Sequence, residues 1–346
     1  MTAPADSHTP RQRLVFAALT TIIIIAAVAA ALLPGFRQKA LVDEIEAHGG
    51  LISIESAFPE WLDRALTHVV GHRHNRMFGQ MKWVIVVGDW FDDRRMAQAN
   101  RFQGAETVIL SDTAITADGL SRLVQNSALR SLGFHKTSAG SPTLRDLPAI
   151  PDLELLMITM TGPMDGSRLA ARFPKLERLS LIQCDVTAAD LREIRALRSL
   201  SVLLVEHSNV DDAGFSHLAL HPRLERVQVK RSSFGDAGLA HIATCANLTW
   251  LDLSETSISD VGVTRLAQTK SLEDLELSGT NVTSRGVQAL AELPKLRYLG
   301  LERTRVTDDV VPVLKSMPIE YVDIRGTTLS AQAADRLQST IRSVRR

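Results

Sequence analysis

The pattern that decides the fold lies in residues 272–314, which read LEDLELSGTNVTSRGVQALAELPKLRYLGLERTRVTDDVVPVL. Three leucines spaced L-x-x-L-x-L begin at Leu272, and the same three begin again at Leu296, twenty-four positions later. The residues between the two sets also recur at this offset, because Val282 and Val287 return as Val306 and Val311. A fixed period of this size indicates a solenoid of stacked repeats.

The period extends in both directions from this stretch, with an occasional copy one residue short. The first apolar residues of the successive copies are Met81, Ala105, Leu129, Leu153, Leu176, Leu200, Leu224, Leu248, Leu272, Leu296 and Ile319. These eleven copies predict a repeat domain over residues 81–339, followed by a basic tail over residues 340–346.

Each copy contains two hydrophobic periods in succession. The alternation of Leu275 and Leu277 predicts a short strand, and the helical spacing of Val287 and Leu290 predicts a helix that Thr283 or Ser284 caps. Neither element can bury its apolar face alone, so neighbouring copies must stack. The pattern resembles the leucine-rich repeat, which implies a right-handed α/β horseshoe with a parallel inner sheet and outer helices.

A column of small polar residues follows the leucines of each copy. It comprises Thr113, Thr137, Thr161, Cys184, Ser208, Ser232, Thr256, Thr280, Thr304 and Thr327. A hydroxyl or thiol at this place is expected to bond main-chain groups of the turn that would otherwise be unpaired. Glycines such as Gly262 and Gly286 recur early in the predicted helices, where the missing side chain permits close packing.

Composition excludes some classes of function. Lys plus Arg and Asp plus Glu both number 39, which gives a formal net charge of zero and argues against a nucleic-acid binder. The two cysteines, Cys184 and Cys245, are too few for a disulfide framework and leave the compartment and their redox state open.

The N-terminal residues predict a membrane anchor. After a polar tail over residues 1–13, residues 14–33 form an uncharged run long enough to span a bilayer as one helix. A signal peptide cleaved near Ala29 or Ala31 is the alternative, although the apolar run is long for one. Flanking positive charges balance and do not decide orientation. The short tail favours a single-pass protein with an extracytoplasmic repeat domain.

Residues 40–80 precede the periodic region and are expected to cap the exposed end of the solenoid. Helical patterns flank a predicted strand, LISIES. Together with IEAHGGLISIE, PEWLDRAL and the T-x-V-T-D-x-G-L phrasing, the membrane helix makes the chain resemble the membrane-anchored leucine-rich repeat proteins of planctomycete bacteria. The repeats are also similar to the cysteine-containing repeats of F-box proteins, but no F-box-like segment is present. These resemblances imply little about function.

Candidate chemical sites have simpler explanations. His68, His72 and His74 are expected in a solvated loop, and His217 and His241 on the outer helices, rather than around a metal. Asp252, Glu276 and Asp323 share one repeat position and are expected to form a solvated acidic ridge. No nucleophile elbow, phosphate loop or dinucleotide fingerprint accompanies them. The sequence therefore predicts no enzyme, cofactor, metal or small-molecule substrate.

The inner sheet offers the predicted binding surface. Side chains on either side of the second leucine of each copy point away from the core onto the concave face, whose N-terminal half is largely apolar. The predicted partner-binding residues lie in the C-terminal half: Arg226, Trp250, Asp252, Glu276, Tyr298 and Tyr321. Aromatic and arginine side chains are enriched among residues that dominate interface energies. We therefore expect a protein partner, with a glycan or cell-wall ligand as the alternative.

Overall fold

The computed structural model describes residues 38–55, 80–98, 102, 104–122, 128–135, 147–208, 210 and 212–346. The chain forms two compact units, Met1–Val84 and Ile85–Arg346. The predicted membrane span over residues 14–33 lies outside the described residues. Within the described part, no helix has both the length and the apolar character needed to cross a bilayer.

The first unit contains a helix over residues 38–47, strand β1 (Leu51–Glu55) and the beginning of β2 (Gln80–Val87). Both the helix and β1 were predicted from the sequence. The helix buries Val42 and Ile45, and it ends two residues before Gly49, whose φ of +80° suits a left-handed helix terminus. The role of residues 40–80 as a cap stays a prediction.

The second unit contains the repeats. Its strands after β2 are β3 (Thr107–Ser111), β4 (Ser131–His135), β5 (Leu155–Pro163), β6 (Arg178–Asp185), β7 (Val202–Glu206), β8 (Arg226–Lys230), β9 (Trp250–Asp252), β10 (Asp274–Glu276), β11 (Tyr298–Gly300), β12 (Tyr321–Asp323) and β13 (Ser343–Arg345). From β3 to β13 they pair in chain order, and every pair is parallel.

Helices follow most of these strands. The described α-helices of this unit are Asp93–Gln98, Ala117–Ser121, Leu169–Arg172, Ala188–Arg195, Asp236–Ile242, Asp260–Leu266, Ser284–Ala289, Val311–Ser316 and Ala331–Gln338. Short 3₁₀ helices are Gly214–Leu218, Leu290–Glu292 and Asp308–Val310. The sequence pattern did not distinguish the α from the 3₁₀ segments.

The register of the sheet is the register of the repeats. Leu275 pairs with Leu251 on one side and Leu299 on the other, each one repeat away. All three leucines are fully buried between the sheet and the helices. The expected leucine-rich repeat solenoid is therefore confirmed for the described repeats. We call the sheet face that is turned away from this core the open face.

The polar column bonds the turn backbone, as predicted. The hydroxyl oxygens of Thr256, Thr280 and Thr304 donate to the carbonyl oxygens of Leu253, Leu277 and Leu301 at 2.6, 2.6 and 2.7 Å. Cys184 occupies the same position, with its Sγ 3.4 Å from the carbonyl oxygen of Ile182. These bonds satisfy buried carbonyl groups where each strand ends.

The outer side of the unit is held together by an aspartate clamp, a pair of hydrogen bonds between neighbouring repeats. Asp260 begins one outer helix, and it accepts from the main-chain N–H of Thr283 at 2.8 Å and from its hydroxyl at 2.6 Å. Thr283 caps the next helix and is one of the two caps that the sequence predicted. The same arrangement joins Asp93 to Thr116, Asp236 to Ser259, and Asp308 to Ser330.

The clamp explains the recurrent glycines. A Cβ atom at Gly286 would collide with Oδ1 of Asp260, and one at Gly262 would collide with Oδ1 of Asp236. At these two positions the glycine therefore gives the carboxylate of the preceding repeat room to reach its hydrogen-bond donors.

The C-terminal residues contain one more strand than the sequence predicted. Residues 340–346 were expected to be a basic tail, but Ser343–Arg345 forms β13 and pairs with β12. Val344 pairs with Val322, so the two positions are two residues closer in sequence than the paired leucines of the regular repeats. Ile341, which precedes the strand, is buried. The sequence pattern did not predict this copy, because its offset is shorter than the regular period and it has no leucine at the equivalent positions.

The clamp can be tested with a double-mutant cycle. Asp260→Ala leaves the Thr283 donors without their acceptor and should lower the free energy of unfolding by about 1–3 kcal/mol. Gly286→Ala should also destabilise, because its methyl group meets the Asp260 carboxylate. In the double variant this collision is gone, so the combined loss in denaturant unfolding should be smaller than the sum of the two single losses.

Gln288→Ala serves as the matched control, because Gln288 is exposed on the same helix. It should change the free energy of unfolding by less than about 0.5 kcal/mol. Strict additivity of Asp260→Ala and Gly286→Ala would contradict the proposed steric relation between the two residues.

Candidate functional site

The residues predicted to bind a partner fall into two rows on the open face. The first row crosses five adjacent strands and contains Arg226, Trp250, Asp274, Tyr298 and Tyr321. The second row contains Gln228, Asp252, Glu276, Gly300 and Asp323. All six predicted residues therefore lie on neighbouring strands, with about 4.8 Å between one strand and the next.

Two aromatic rings of the first row are in contact with arginines of the chain itself. The guanidinium carbon of Arg226 lies 4.5 Å from the centroid of the Trp250 ring, and that of Arg342 lies 5.9 Å from the centroid of Tyr321. Both distances are within the range of cation–π attraction. Arg226 and Tyr321 are exposed, whereas Trp250 is half-buried.

The acidic ridge expected from the sequence is wrong for Asp252 and Asp323, which are only 8% and 4% exposed. Asp252 accepts hydrogen bonds from the main-chain N–H and the hydroxyl of Ser254, at 2.9 and 2.5 Å. Asp323 accepts from Nε of Arg325 at 2.9 Å. Each carboxylate accepts hydrogen bonds from the residue two positions later. Those donors take the place of the water molecules that would solvate an exposed carboxylate.

Glu276 is also engaged by the protein. Its Oε1 accepts from the main-chain N–H of Ser278 at 3.0 Å and from the Ser278 hydroxyl, and its Oε2 accepts from the Tyr298 hydroxyl at 2.7 Å. The carboxylate extends over Gly300 on the next strand, where any Cβ atom would collide with it. Glu276 therefore orients Tyr298 instead of projecting freely toward a partner.

Asp274 is the residue of this site that the sequence reasoning did not select. It lies between Trp250 and Tyr298 in the first row and is half-buried. Burial raises its pKa, the charge of Arg226 acts in the opposite direction, and Glu273 raises the pKa further. Its place in the same repeat column as Trp250 and Tyr298 was the available signal.

The N-terminal neighbours of this site are largely apolar, as predicted. Leu155 and Met157 on β5, and Val202 and Leu204 on β7, are half-buried on the open face. Strand β8 separates them from Trp250 and carries Arg226, Gln228 and Lys230. Strand β6 interrupts the apolar part with Arg178 and Ser180. Beyond β8 the open face becomes acidic and aromatic, on β9 to β11.

Charged residues that follow the strands form exposed ion pairs. Arg231 donates from Nε to Glu255 at 2.9 Å and lies 3.5 Å from Glu206. The hydrogen bond from Arg231 lowers the pKa of Glu255. Such exposed pairs contribute little to stability, so we regard them as the solvated border of the site.

Other candidate groups lie away from the open face or outside the described residues. His68, His72 and His74 lie outside the described residues. His217 and His241 lie on outer elements and are half-buried. His221 and Cys245 lie in the core, where burial lowers the pKa of the imidazole and raises the pKa of the thiol. Both groups are consequently uncharged near neutral pH.

The environment of Tyr298 yields a titration prediction. Burial, the hydrogen bond to Glu276 and the charge of that carboxylate raise the pKa of the phenol. The chain has two tyrosines, Tyr298 and Tyr321. In a phenolate absorbance titration of the native protein, Tyr298 should remain protonated above about pH 10, where an unfolded tyrosine ionises.

The stabilisation from this raised pKa is complete below about pH 10 and is lost as the pH rises toward the folded value. Tyr298→Phe should remove the late ionisation step, and Tyr321→Phe should retain it. Ionisation of Tyr298 in its ordinary range in the folded protein would show that the Glu276 hydrogen bond is not formed.

Comparisons with known proteins agree with the architecture. Residues 222–306 match the family model described as Leucine rich repeat. No curated protein sequence gives a significant match. Among solved structures, the chain is similar to an internalin (inlF) from Listeria monocytogenes, with a TM-score of 0.55 and 15% identity over 82% of this chain and 94% of that chain.

A second similar structure is a chain of the mouse RP105/MD-1 complex, with a TM-score of 0.52 and 19% identity. The likeness covers 73% of this chain and 44% of the mouse chain. Identities this low show the fold alone. The repeats of this protein form a leucine-rich repeat solenoid, a fold that commonly serves as a non-catalytic scaffold for protein–protein interaction.

Proposed function

We propose that this protein is a non-catalytic interaction module that binds a protein partner through the concave, open face of its repeats. The observation that carries the proposal is the first row, in which Arg226, Trp250, Asp274, Tyr298 and Tyr321 lie side by side on five adjacent strands. This row is about 20 Å long, a length suited to a protein contact.

The residue types in the row support a protein partner. Tryptophan, tyrosine and arginine bury much area for few rotatable bonds and dominate measured interface energies. The apolar side chains of β5 and β7 continue the same face and would add contact area. The apolar patch adjoins a polar and charged one, which is the usual composition of a protein interface.

The carboxylates of the second row support a binding role over acid–base catalysis. Asp252, Glu276 and Asp323 each accept hydrogen bonds from the chain itself. Because their oxygen atoms are engaged in these bonds, the carboxylates are not free to take a proton from a substrate. Their evident effect is to hold neighbouring side chains and the strand ends in place.

The alternative is a cell-envelope protein that binds a glycan or a wall component. Trp250 and Tyr298 are the aromatic rings that would stack on sugars. A protein partner is favoured because Arg226 already lies against the Trp250 ring, and because Tyr298 is tied through its hydroxyl to Glu276. The contact with Arg226 occupies one face of the Trp250 ring, which leaves less of the ring for stacking on a sugar.

We also propose that residues 14–33 anchor the protein in a membrane and place the repeats outside the cytoplasm, as in the planctomycete proteins that the sequence resembles. The support is the uncharged run of twenty residues. The full-length protein should remain with membranes through carbonate and high-salt washes. A native N-terminus near residue 32 would instead indicate cleavage and a released protein.

The interface can be tested with the full-length protein and cross-linked partners from its own cell envelope. Trp250→Ala and Tyr298→Ala should each weaken binding of the captured partner by more than about 1 kcal/mol, roughly fivefold. His217→Ala and His241→Ala on the outer elements should retain binding. Circular dichroism of every variant checks that folding is unchanged.

Loss of binding in the outer variants, with retention in Trp250→Ala and Tyr298→Ala, would exclude the open face as the interface. A captured component that survives protease treatment and is released by soluble envelope glycans would support the alternative function.

A further inference from the structure

Asp274 differs from the other acidic residues on the same part of the open face. Asp252 and Glu276 accept hydrogen bonds from serine residues two positions later. Asp274 is half-buried, yet in the described part of the chain no hydrogen bond or ion pair holds its carboxylate. A carboxylate of this kind is available to accept a charge-assisted hydrogen bond from a ligand.

The residues beside Asp274 are aromatic on both sides. Trp250 occupies the paired position on β9, and Tyr298 occupies it on β11. The hydrogen bond from the Tyr298 hydroxyl to Glu276 holds the Tyr298 side chain toward β10, the strand that carries Asp274. Aromatic rings attract cations that a neighbouring carboxylate also attracts, and the two effects act together.

The charge of the surrounding strands is also one-sided. Strands β9, β10 and β11 contain the acids Asp252, Asp274 and Glu276 and no lysine or arginine. The cation whose charge acts on Asp274 is Arg226 on β8, and its guanidinium lies against the Trp250 ring instead of pairing with the carboxylate. Within the described residues, this part of the open face is therefore acidic, and no basic side chain forms an ion pair with Asp274.

We propose that Asp274, flanked by Trp250 and Tyr298, receives a lysine or arginine side chain of the protein partner. The inference rests on the proposed function and specifies the chemistry of the partner at one point. The carboxylate is the counter-ion of the incoming cation, and the two rings contact its alkyl chain and its charged end. Arg226, on the neighbouring strand β8, keeps the Trp250 ring in position.

The apolar side chains on β7 add a second requirement. Val202 occupies the first-row position three strands before Asp274. Three strand spacings correspond to about 14 Å, which an extended peptide covers in roughly four residues. A matching partner segment therefore presents an apolar side chain and, four positions later, a basic one.

A pair of synthetic peptides tests the site on the full-length protein in detergent. Both are blocked pentapeptides with leucine first and small polar residues in the middle, and they end in arginine or in its neutral analogue citrulline. Binding is followed through the indole N–H resonances of the four tryptophans, with Trp250→Phe identifying the signal of interest.

The arginine peptide should shift the Trp250 signal saturably, and the citrulline peptide should bind at least about tenfold more weakly. Asp274→Asn should lower the affinity for the arginine peptide by about tenfold and leave the citrulline peptide unaffected. Glu273→Gln is the matched control, because Glu273 precedes Asp274 and is exposed, and it should change either affinity by less than about twofold.

Equal binding of the two peptides, full affinity in Asp274→Asn, or no saturable shift up to about 10 mM peptide would overturn the proposal. The outcome is separable from the proposed function. If the captured partner is lost in Trp250→Ala but retained in Asp274→Asn, the open face remains the interface and the cation site is refuted. If Trp250→Ala retains the partner, the proposed interface itself fails.

Discussion

No single repeat of this protein can bury its own leucines, so each one depends on the repeat beside it. A short strand and a helix of one or two turns have too little surface to enclose Leu251, Leu275 or Leu299. Stacking in register removes all three from water. The aspartate clamps add hydrogen bonds between neighbouring repeats on the outer side.

This constraint also determines which surface is available for function. The leucines, the polar column and the clamp residues all serve contacts between repeats, and they repeat because those contacts repeat. The open face is free of that requirement, so its residues differ from one copy to the next. Valine on β7, arginine on β8, tryptophan on β9 and aspartate on β10 occupy one equivalent position.

Within the open face, hydrogen bonding separates residues that support the site from residues that remain available to a ligand. Asp252 and Glu276 are held by donors of their own strand ends. Asp274 precedes the second leucine of its copy, and among the described residues no such donor bonds its carboxylate. Its half-buried carboxylate between two aromatic residues is consistent with the binding role that the fold commonly has.

The sequence by itself determined the solenoid, the parallel register and the row that contains Arg226, Trp250, Tyr298 and Tyr321, and it limited the helix cap to Thr283 or Ser284. These features follow from the fixed repeat period, because one repeat advances the sheet by one strand and places equivalent residues side by side. The strand β13 escaped this reasoning because its offset from β12 is shorter than that period. Only the tertiary structure decided that Asp252 and Asp323 are buried, that Glu276 orients Tyr298, and that Asp274 stands apart from them. Those outcomes depend on which donors the chain folds toward each carboxylate, and a hydrophobic period carries no information about where hydrogen-bond donors point.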